Sequence, residues 1–452
     1  MDLNNKINKN LRVAVCGLGK TGISVIKFIL ENKLPWKIEA YDSKEVVDVY
    51  QFDSYISLSF EGFDDSNVLK CDLIIVSPGI NINKGIFLEA KKNNIDIIGD
   101  IELFSYFTDK PVIAITGSNG KSTVTQLTGD ALKATSLKVG IGGNIGIPAL
   151  SLLGHDYDLY VLELSSYQLE TIENLHTEIS VFLNLSEDHI ERYASFYEYK
   201  MAKQKIFTKS KLCIYNQDDI NTWPCSIKPN QKCVSFDKNK KDGFHLSFCD
   251  GNIKSKDVSF YYKDKFLFSS NEIKVKGFHN YLNILVVLNI INAMSVSLNK
   301  CISIIKKFPG LPHRFQYINT ERCLCINDSK STNAASSLEA IKALKENDAQ
   351  LHLILGGIHK GDDFSQVVDE CSREQIKVYS FGKDGAYFSK LFDCTYYPDL
   401  NALIKNLVSI VSKTDIILFS PGCASFDQFK NFEERGNNFI ELIENKLNFK
   451  GY

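Results

Sequence analysis

The residues whose spacing carries the most chemistry are TGSNGKST at 116–123, directly after the apolar run VIAI. Backbone amides through Gly117, Ser118, Asn119 and Gly120 suit a phosphate cradle. Lys121 reaches β- and γ-phosphate oxygens, and Ser122 or Thr123 offers a hydroxyl to magnesium. Ile115 stands where the usual phosphate loop has its first glycine, so the loop is a variant. A phosphate-bound magnesium needs further oxygen ligands. Glu163, in DLYVLELSSYQLE, closes a strand-like run, the place where ligands collect in open α/β sheets. Asp188 and His189 follow the next run, in VFLNLSEDHIERY, where a lone histidine reads first as structural. Lys203, in YKMAKQKIF, reads on spacing alone as helix surface.

A second glycine motif, VAVCGLGKTG at 13–22, sets Gly17, Gly19 and Gly22 between a strand and a helix, and Asp42 ends the following strand. Glycine lets backbone approach a phosphate, and a helix N-terminus attracts anions. On residues alone the motif stays open between a structural turn, a dinucleotide site and another nucleotide or phosphate ligand.

These residues need elements to hold them. Strand-like runs at 12–16, 38–41, 73–76 and 95–98 predict a first sheet. Those at 112–115, 159–162 and 179–183 predict a second, and 351–355, 377–381 and 416–419 a third. Their alternation with helix-length segments predicts α/β architecture with parallel sheets. The stretch 223–275, with HLSF and VSFYYKDKFLF, reads as antiparallel hairpins appended to the second sheet. At roughly 150 residues per domain, 452 residues suggest about three domains. Breaks near Thr108–Pro111 and at FPGLP give 1–109, 110–309 and 310–452.

Composition excludes several classes. With 44% hydrophobic and 23% charged residues the chain folds. Lys plus Arg is 52 against 54 Asp plus Glu, so no bulk charge draws it to nucleic acid or anionic lipid. The first residues lack the apolar run of a signal peptide. The stretch 281–296 is too short to span a bilayer and is interrupted by Asn283, Asn289 and Asn292, so neither nucleic acid nor membrane is expected as a partner. Twelve cysteines without a CxxC pair read as reduced, buried thiols with no zinc site; Cys323 and Cys325 share one face of a strand.

Seven stretches taken together carry a resemblance: TGSNGKST, LELSSYQLE, NLSEDHIERY, KGFHNYLN, LPHRFQY, NDSKSTN and SPGCASFDQFKNFEERG. In this order, and across nearly the whole chain, they resemble the Mur ligases, the amide-forming enzymes of peptidoglycan synthesis. The last motif, and the absence of a DNPR motif, resemble the branch that adds D-glutamate to UDP-N-acetylmuramoyl-L-alanine. The resemblance implies a Rossmann-like N-terminal domain, a P-loop ATPase-type central domain with the small antiparallel appendage, and an α/β C-terminal domain that binds the amino acid. It implies that Gly19, Lys20, Thr21, Asp42, Ser43, Lys44, Ser77, Pro78 and Gly79 hold the UDP part of the substrate, with Asn144 and Ser165 on its sugar and peptide side. Family members often have Thr-Arg after the aspartate; Ser43–Lys44 puts a point charge where arginine gives a fork. Glu163 and His189 become magnesium ligands beside Ser122. Lys203 becomes the lysine that takes up carbon dioxide as a carbamate, an anion able to bind a second ion. Asn280 and Asn283 lie on the adenine side, and Arg314 and Asp328 contact ATP. Lys330, Thr332, Lys360, Ser425 and Phe429 form the D-glutamate pocket. A monomer in the bacterial cytoplasm is expected.

Three other readings compete. A folylpolyglutamate synthase-like ligase would share the loop but start near its ATPase domain, unlike GLGKTG through SPG. A nicotinamide oxidoreductase explains only the first 100 residues. A non-catalytic nucleotide-binding scaffold has no need of Lys121, Glu163, His189 and Lys203 together.

Overall fold

The computed structural model describes residues 3, 7–63, 66–186, 192–239, 241–248, 258–344, 349–447 and 449–451. These fall into two compact units. The first comprises Met1–Leu185, Glu191–Phe268 and Asn283–Ile305; the second comprises Ser186–Ile190, Ser269–Leu282 and Lys306–Tyr452.

In the first unit, β1 (Leu11–Cys16), β2 (Trp36–Tyr41), β3 (Ile56–Ser59), β4 (Leu73–Val76) and β5 (Asp96–Gly99) form a parallel sheet in the order β3-β2-β1-β4-β5. The apolar run LIIV of β4 is buried at every position, as a central strand covered on both faces requires. The direction of winding reverses between β1 and β4. Loops diverge at such a point and leave a crevice at the strands' carboxyl ends, where open α/β sheets bind ligands. The two loops there are 17–19 and 77–79.

The second sheet is also parallel, in the order β11-β10-β9-β6-β8-β7. Its strands are β6 (Val112–Thr116), β7 (Val139–Gly143), β8 (Leu159–Glu163), β9 (Thr177–Phe182), β10 (Ser210–Asn216) and β11 (Lys232–Phe236). One apolar core runs through both sheets, from Val13 and Ile75 to Ala114 and Phe182. Buried Glu102 ties them together, accepting from the backbone N–H groups of Glu173 (2.8 Å) and Asn174 (2.9 Å). The strands β12 (Phe244–Phe248), β13 (Val258–Tyr262) and β14 (Lys265–Ser269) make the expected antiparallel appendage, with β12 and β13 paired antiparallel. The expectation of hairpins throughout 223–275 needs one correction. Lys232–Phe236 pairs parallel with β10 and closes the main sheet. An edge strand is half exposed, so KCVSF mixes polar and apolar residues as a hairpin strand does.

The second unit holds β15 (Gln316–Thr320), β16 (Leu324–Asn327), β17 (Leu351–Gly356), β18 (Lys377–Phe381), β19 (Thr395–Tyr397), β20 (Ile416–Phe419) and β21 (Phe449–Gly451). Their order is β19-β18-β17-β20-β16-β15-β21, parallel from β19 to β16. Cys323 and Cys325 bring their sulfurs to 3.7 Å, as the one-face reading required. Among the described residues, no helix is long and apolar enough to cross a membrane.

Candidate active site

The loop between β6 and the helix Lys121–Lys133 is shaped by two glycines with positive φ, Gly117 at 157° and Gly120 at 83°. A Cβ on Gly120 would meet Asn283 Oδ1 at 2.6 Å, so only glycine lets the amide of Asn283 approach. Asn184 braces the other side: its backbone oxygen accepts from Ser118 N (2.9 Å), and its side chain bonds Asn119 N (2.8 Å) and Asn119 O (3.0 Å). Ser118 Oγ lies 3.2 Å from the Tyr199 hydroxyl. Lys121, the first residue of the helix, donates to the carbonyls of Gly117 and Ser118, both at 2.8 Å.

The expected metal ligands Ser122 and Glu163 are brought together. Both are almost fully buried, and the Ser122 hydroxyl donates to Glu163 Oε2. Asn144 Nδ2 donates to Glu163 Oε1 (2.8 Å), and Asn144 N to the Glu163 carbonyl (2.8 Å). A hydroxyl and a carboxylate at the head of a helix after a phosphate loop are hard oxygen donors, which suits magnesium. His189 and Asp188 lie outside the described residues.

Lys203 departs from a surface lysine. It is only 2% exposed, and its Nζ donates to Gly117 O (2.9 Å) and weakly to Thr116 Oγ1 (3.5 Å). It also lies 5.0 Å from the Tyr199 ring centroid. Lys121 and Lys203 therefore share one carbonyl at the base of the loop. Helical phase hid this, because nothing in YKMAKQKIF marks which lysine turns inward.

At the carboxyl end of the first sheet, Asp42 is held by the glycine loop itself, accepting from Leu18 N (2.6 Å) and Lys44 N (3.2 Å). Ser77 Oγ donates to Gly17 O (2.7 Å), joining the two loops at the reversal point. Gly19 caps the helix Lys20–Glu31, so Lys20 and Thr21 form its first turn. Ser43 and Lys44 are exposed, and a Cβ on Gly19 or Gly79 would meet open space. A shallow recess lined by Ser77, Pro78, Tyr167, Gln168 and Arg192 has Asp100 in its wall. Ser165 caps the helix Ser166–Glu170 in a capping box with Gln168. Gln168 in turn donates to Asp100 (3.3 Å), whose carboxyl burial pushes up to about 6.

In the second unit the expected residues gather on loops after β16, β17 and β20. Asp328 accepts from Phe315 N (3.0 Å), Ser420 Oγ (3.0 Å) and Ser331 Oγ. Burial pushes its carboxyl up to about 6, opposed by those bonds and by the charge of Arg314. Arg314 sits between His313 (φ 61°) and Phe315 (φ 48°), both in the left-handed region that side chains avoid. Lys330 Nζ lies 3.9 Å from the Phe432 ring centroid, a cation–π contact. Thr332 and Lys360 are half-buried, Ser425 is buried, and Phe429 packs against the core cluster that holds Phe419 and Phe439. Asn280 donates to Lys276 O (2.8 Å) one turn before Asn283 on the helix Phe278–Ala293.

One residue that chain spacing did not single out is Arg435. It is fully buried and donates to Ser329 Oγ (3.0 Å), Ser329 O (2.7 Å) and Cys423 O (2.9 Å), bracing the loops of Lys330 and Ser425. Its place in FEERG was the only signal, because 106 residues separate it from Ser329.

The chain matches three families in succession: the Mur ligase MurD-like N-terminal domain over residues 11–99, the Mur ligase middle domain over 115–291, and the Mur ligase glutamate ligase domain over 313–423. It is 40% identical over 437 residues to the UDP-N-acetylmuramoylalanine--D-glutamate ligase of Buchnera aphidicola subsp. Acyrthosiphon pisum, covering 96% of this chain and 98% of that protein. The chain belongs to the Mur ligase family. The like-named ligase of Aliivibrio fischeri is 38% identical over 436 residues, 96% of this chain and 97% of its own. These full-length matches group this Mur ligase with the D-glutamate ligases. Among solved structures, a MurF ligase from Thermotoga maritima in complex with ADP has a TM-score of 0.62 at 18% identity, covering 98% of this chain and 96% of that one; the likeness establishes the fold.

Proposed function

We propose that this Mur ligase joins D-glutamate to UDP-N-acetylmuramoyl-L-alanine at the expense of ATP, releasing ADP and phosphate, in peptidoglycan precursor synthesis. The observation that carries the reading is the convergence on one loop of Lys121, Lys203 and the Ser122–Glu163 pair.

A carboxylate is a poor electrophile, so the reaction first activates it. A carboxylate oxygen attacks the γ-phosphorus of ATP, the bond to ADP breaks, and an acyl phosphate forms. The amino nitrogen of D-glutamate then attacks the acyl carbon and loses a proton. The tetrahedral intermediate expels phosphate and leaves the amide. Lys121, with the loop amides, faces the oxygens on which charge develops. Ser122 and Glu163 would hold magnesium, with His189 as a further ligand. When bound, magnesium supplies positive charge to the phosphate oxygens. The Lys203 ammonium first sheds a proton; carbon dioxide then adds to the free amine, which loses a second proton as the N–C bond forms, so a cation at the loop becomes a carbamate anion that suits a second ion. Asp42, Ser77, Pro78 and the recess toward Gln168 take the UDP-linked substrate, with Asn144 on its sugar side and Ser165 on its peptide side. Asn280, Asn283, Arg314 and Asp328 take ATP. Lys330, Thr332, Lys360, Ser425 and Phe429 take D-glutamate, whose two carboxylates call for cationic and hydroxyl partners. The enzyme acts as a monomer in the bacterial cytoplasm.

Phosphate release from ATP in the presence of UDP-N-acetylmuramoyl-L-alanine tests this, with D-glutamate, L-glutamate, D-alanine and meso-diaminopimelate compared. Release with D-glutamate alone, and a ligated product by mass, is expected. Release with another amino acid instead overturns the pocket reading, and release with none overturns the function.

A further inference from the structure

Lys360 and Thr332 stand on different loops, after β17 and β16, yet a dicarboxylate pocket needs a fixed separation between them. Asp362 joins these loops, and His359 fixes the turn that carries it. The His359 N–H donates to Asp384 Oδ2 (2.7 Å), anchoring the backbone beside Lys360. The His359 ring stacks on Tyr387, with centroids 5.1 Å apart and planes 15° apart, and meets Phe364 and Phe388 edge-on. Its Nε2 lies 2.9 Å from the Asp362 carbonyl oxygen, which can only accept, so Nε2 carries the proton. The imidazole thus closes a four-residue turn, His359 to Asp362, around Lys360. Asp362 extends the link: its Oδ2 accepts from Ala334 N (3.4 Å), in the first turn of the helix that Asn333 caps. Thr332 directly precedes that cap.

We propose that His359 and Asp362 are positioning residues that set the separation of Lys360 and Thr332, and through it the length of acidic side chain the enzyme accepts. This rests on the reading of Lys360 and Thr332 as amino-acid contacts. A pocket held at one separation favours glutamate over aspartate, whose carboxylate lies one methylene closer to its α-carbon. Loosening the clasp weakens glutamate binding and narrows that preference. It leaves the ATP and UDP-substrate sites alone, because neither residue touches them.

The test is steady-state kinetics of His359→Phe, which keeps an aromatic ring in the stack but loses the Nε2–H donor, and of Asp362→Ala, which keeps the ring. For each, the KM of D-glutamate, ATP and the UDP-linked substrate is measured, with the kcat/KM ratio of D-glutamate to D-aspartate. Lys360→Ala is the reference. In both variants the D-glutamate KM is expected to rise about tenfold, the scale of one ordered hydrogen bond, with the other two KM values within about twofold. The D-glutamate to D-aspartate ratio is expected to fall. An unchanged D-glutamate KM and ratio in both variants, with a raised KM in Lys360→Ala, overturns the clasp. A parallel rise of all three KM values, as general loosening would give, also overturns it. An unchanged KM in Lys360→Ala overturns instead the pocket reading on which the clasp rests.

Discussion

Replacing Arg435 by alanine separates the two units by stability. The guanidinium is fully buried and makes three hydrogen bonds to neutral acceptors, at 2.7, 2.9 and 3.0 Å. Hydrogen bonds from a charged group contribute about 1.5–3 kcal/mol each, so the three together give roughly 5–9 kcal/mol. Burial opposes them. It pushes the guanidinium pKa down from 12.5 to about 10, a cost on the order of 3 kcal/mol at about 1.4 kcal/mol per pH unit. The difference leaves roughly 2–6 kcal/mol lost in Arg435→Ala, a large share of the 5–15 kcal/mol typical of a folded domain. At about 2 kcal/mol per molar urea, the midpoint of the second unit falls by about 1–3 M. The assay separates the units, because both tryptophans, Trp36 and Trp223, lie in the first. Tryptophan fluorescence should keep its wild-type midpoint, while far-UV circular dichroism gains an early phase. Arg435→Lys should recover less than half of the loss, since one ammonium cannot span acceptors on two loops. An unmoved circular dichroism curve, or a fluorescence midpoint that falls equally, refutes the reasoning.

Three further outcomes follow from the geometry. Lys203→Ala should lose at least about a thousandfold in kcat, the scale of a lost electrostatic contact at the reacting centre, and acetate or formate should restore part of it; wild-type turnover without rescue sinks the carbamate. Gly120→Ala forces a side chain into the left-handed region, at about 1–2 kcal/mol, and against Asn283 Oδ1 at 2.6 Å, so the ATP KM should rise at least tenfold, whereas an unchanged value contradicts the role of the loop. Asp328 has a folded-state pKa of about 6, raised from 3.8, so its stabilising contribution is complete below about pH 4 and is lost as pH rises through 6. Asp328→Asn should therefore unfold later than wild type in the second unit at pH 7, with the gap closing toward pH 4.5; a gap independent of pH argues against the burial effect.

Strands covered on both faces were legible because their burial admits only apolar residues: 73–76 and 416–419 run as the sequence predicts. Half-exposed edges such as Ile56–Ser59 and Lys232–Phe236 carry mixed patterns, and tertiary pairing decides them. The phosphate loop was legible for a chemical reason. Its amides, glycines and lysine must be consecutive, so the function is written locally. Asn184 and Arg435 act on partners 65 and 106 residues away, and no local pattern records such a distance. Glu163 lay between these cases. A strand end predicts a ligand, but only the fold shows Asn144 and Ser122 gripping its two oxygens.

The rim of the second unit's sheet is cross-tied. Gly422 N donates to Ser331 O (3.0 Å), Ile358 pairs with Ala424, Asp384 N donates to Gly357 O (3.1 Å), and Lys383 N donates to Asp427 Oδ2 (2.9 Å). Each segment is fitted to the others through main-chain groups and one carboxylate, so none can be exchanged alone without leaving its neighbours mismatched. A ligase of this build cannot change its amino acid by grafting one loop. New specificity must come either from four segments changing in concert or from side chains altered on an unchanged backbone. The second route is far shorter for evolution and for an engineer, and it leaves the scaffold as the conserved part and a few projecting side chains as the variable one.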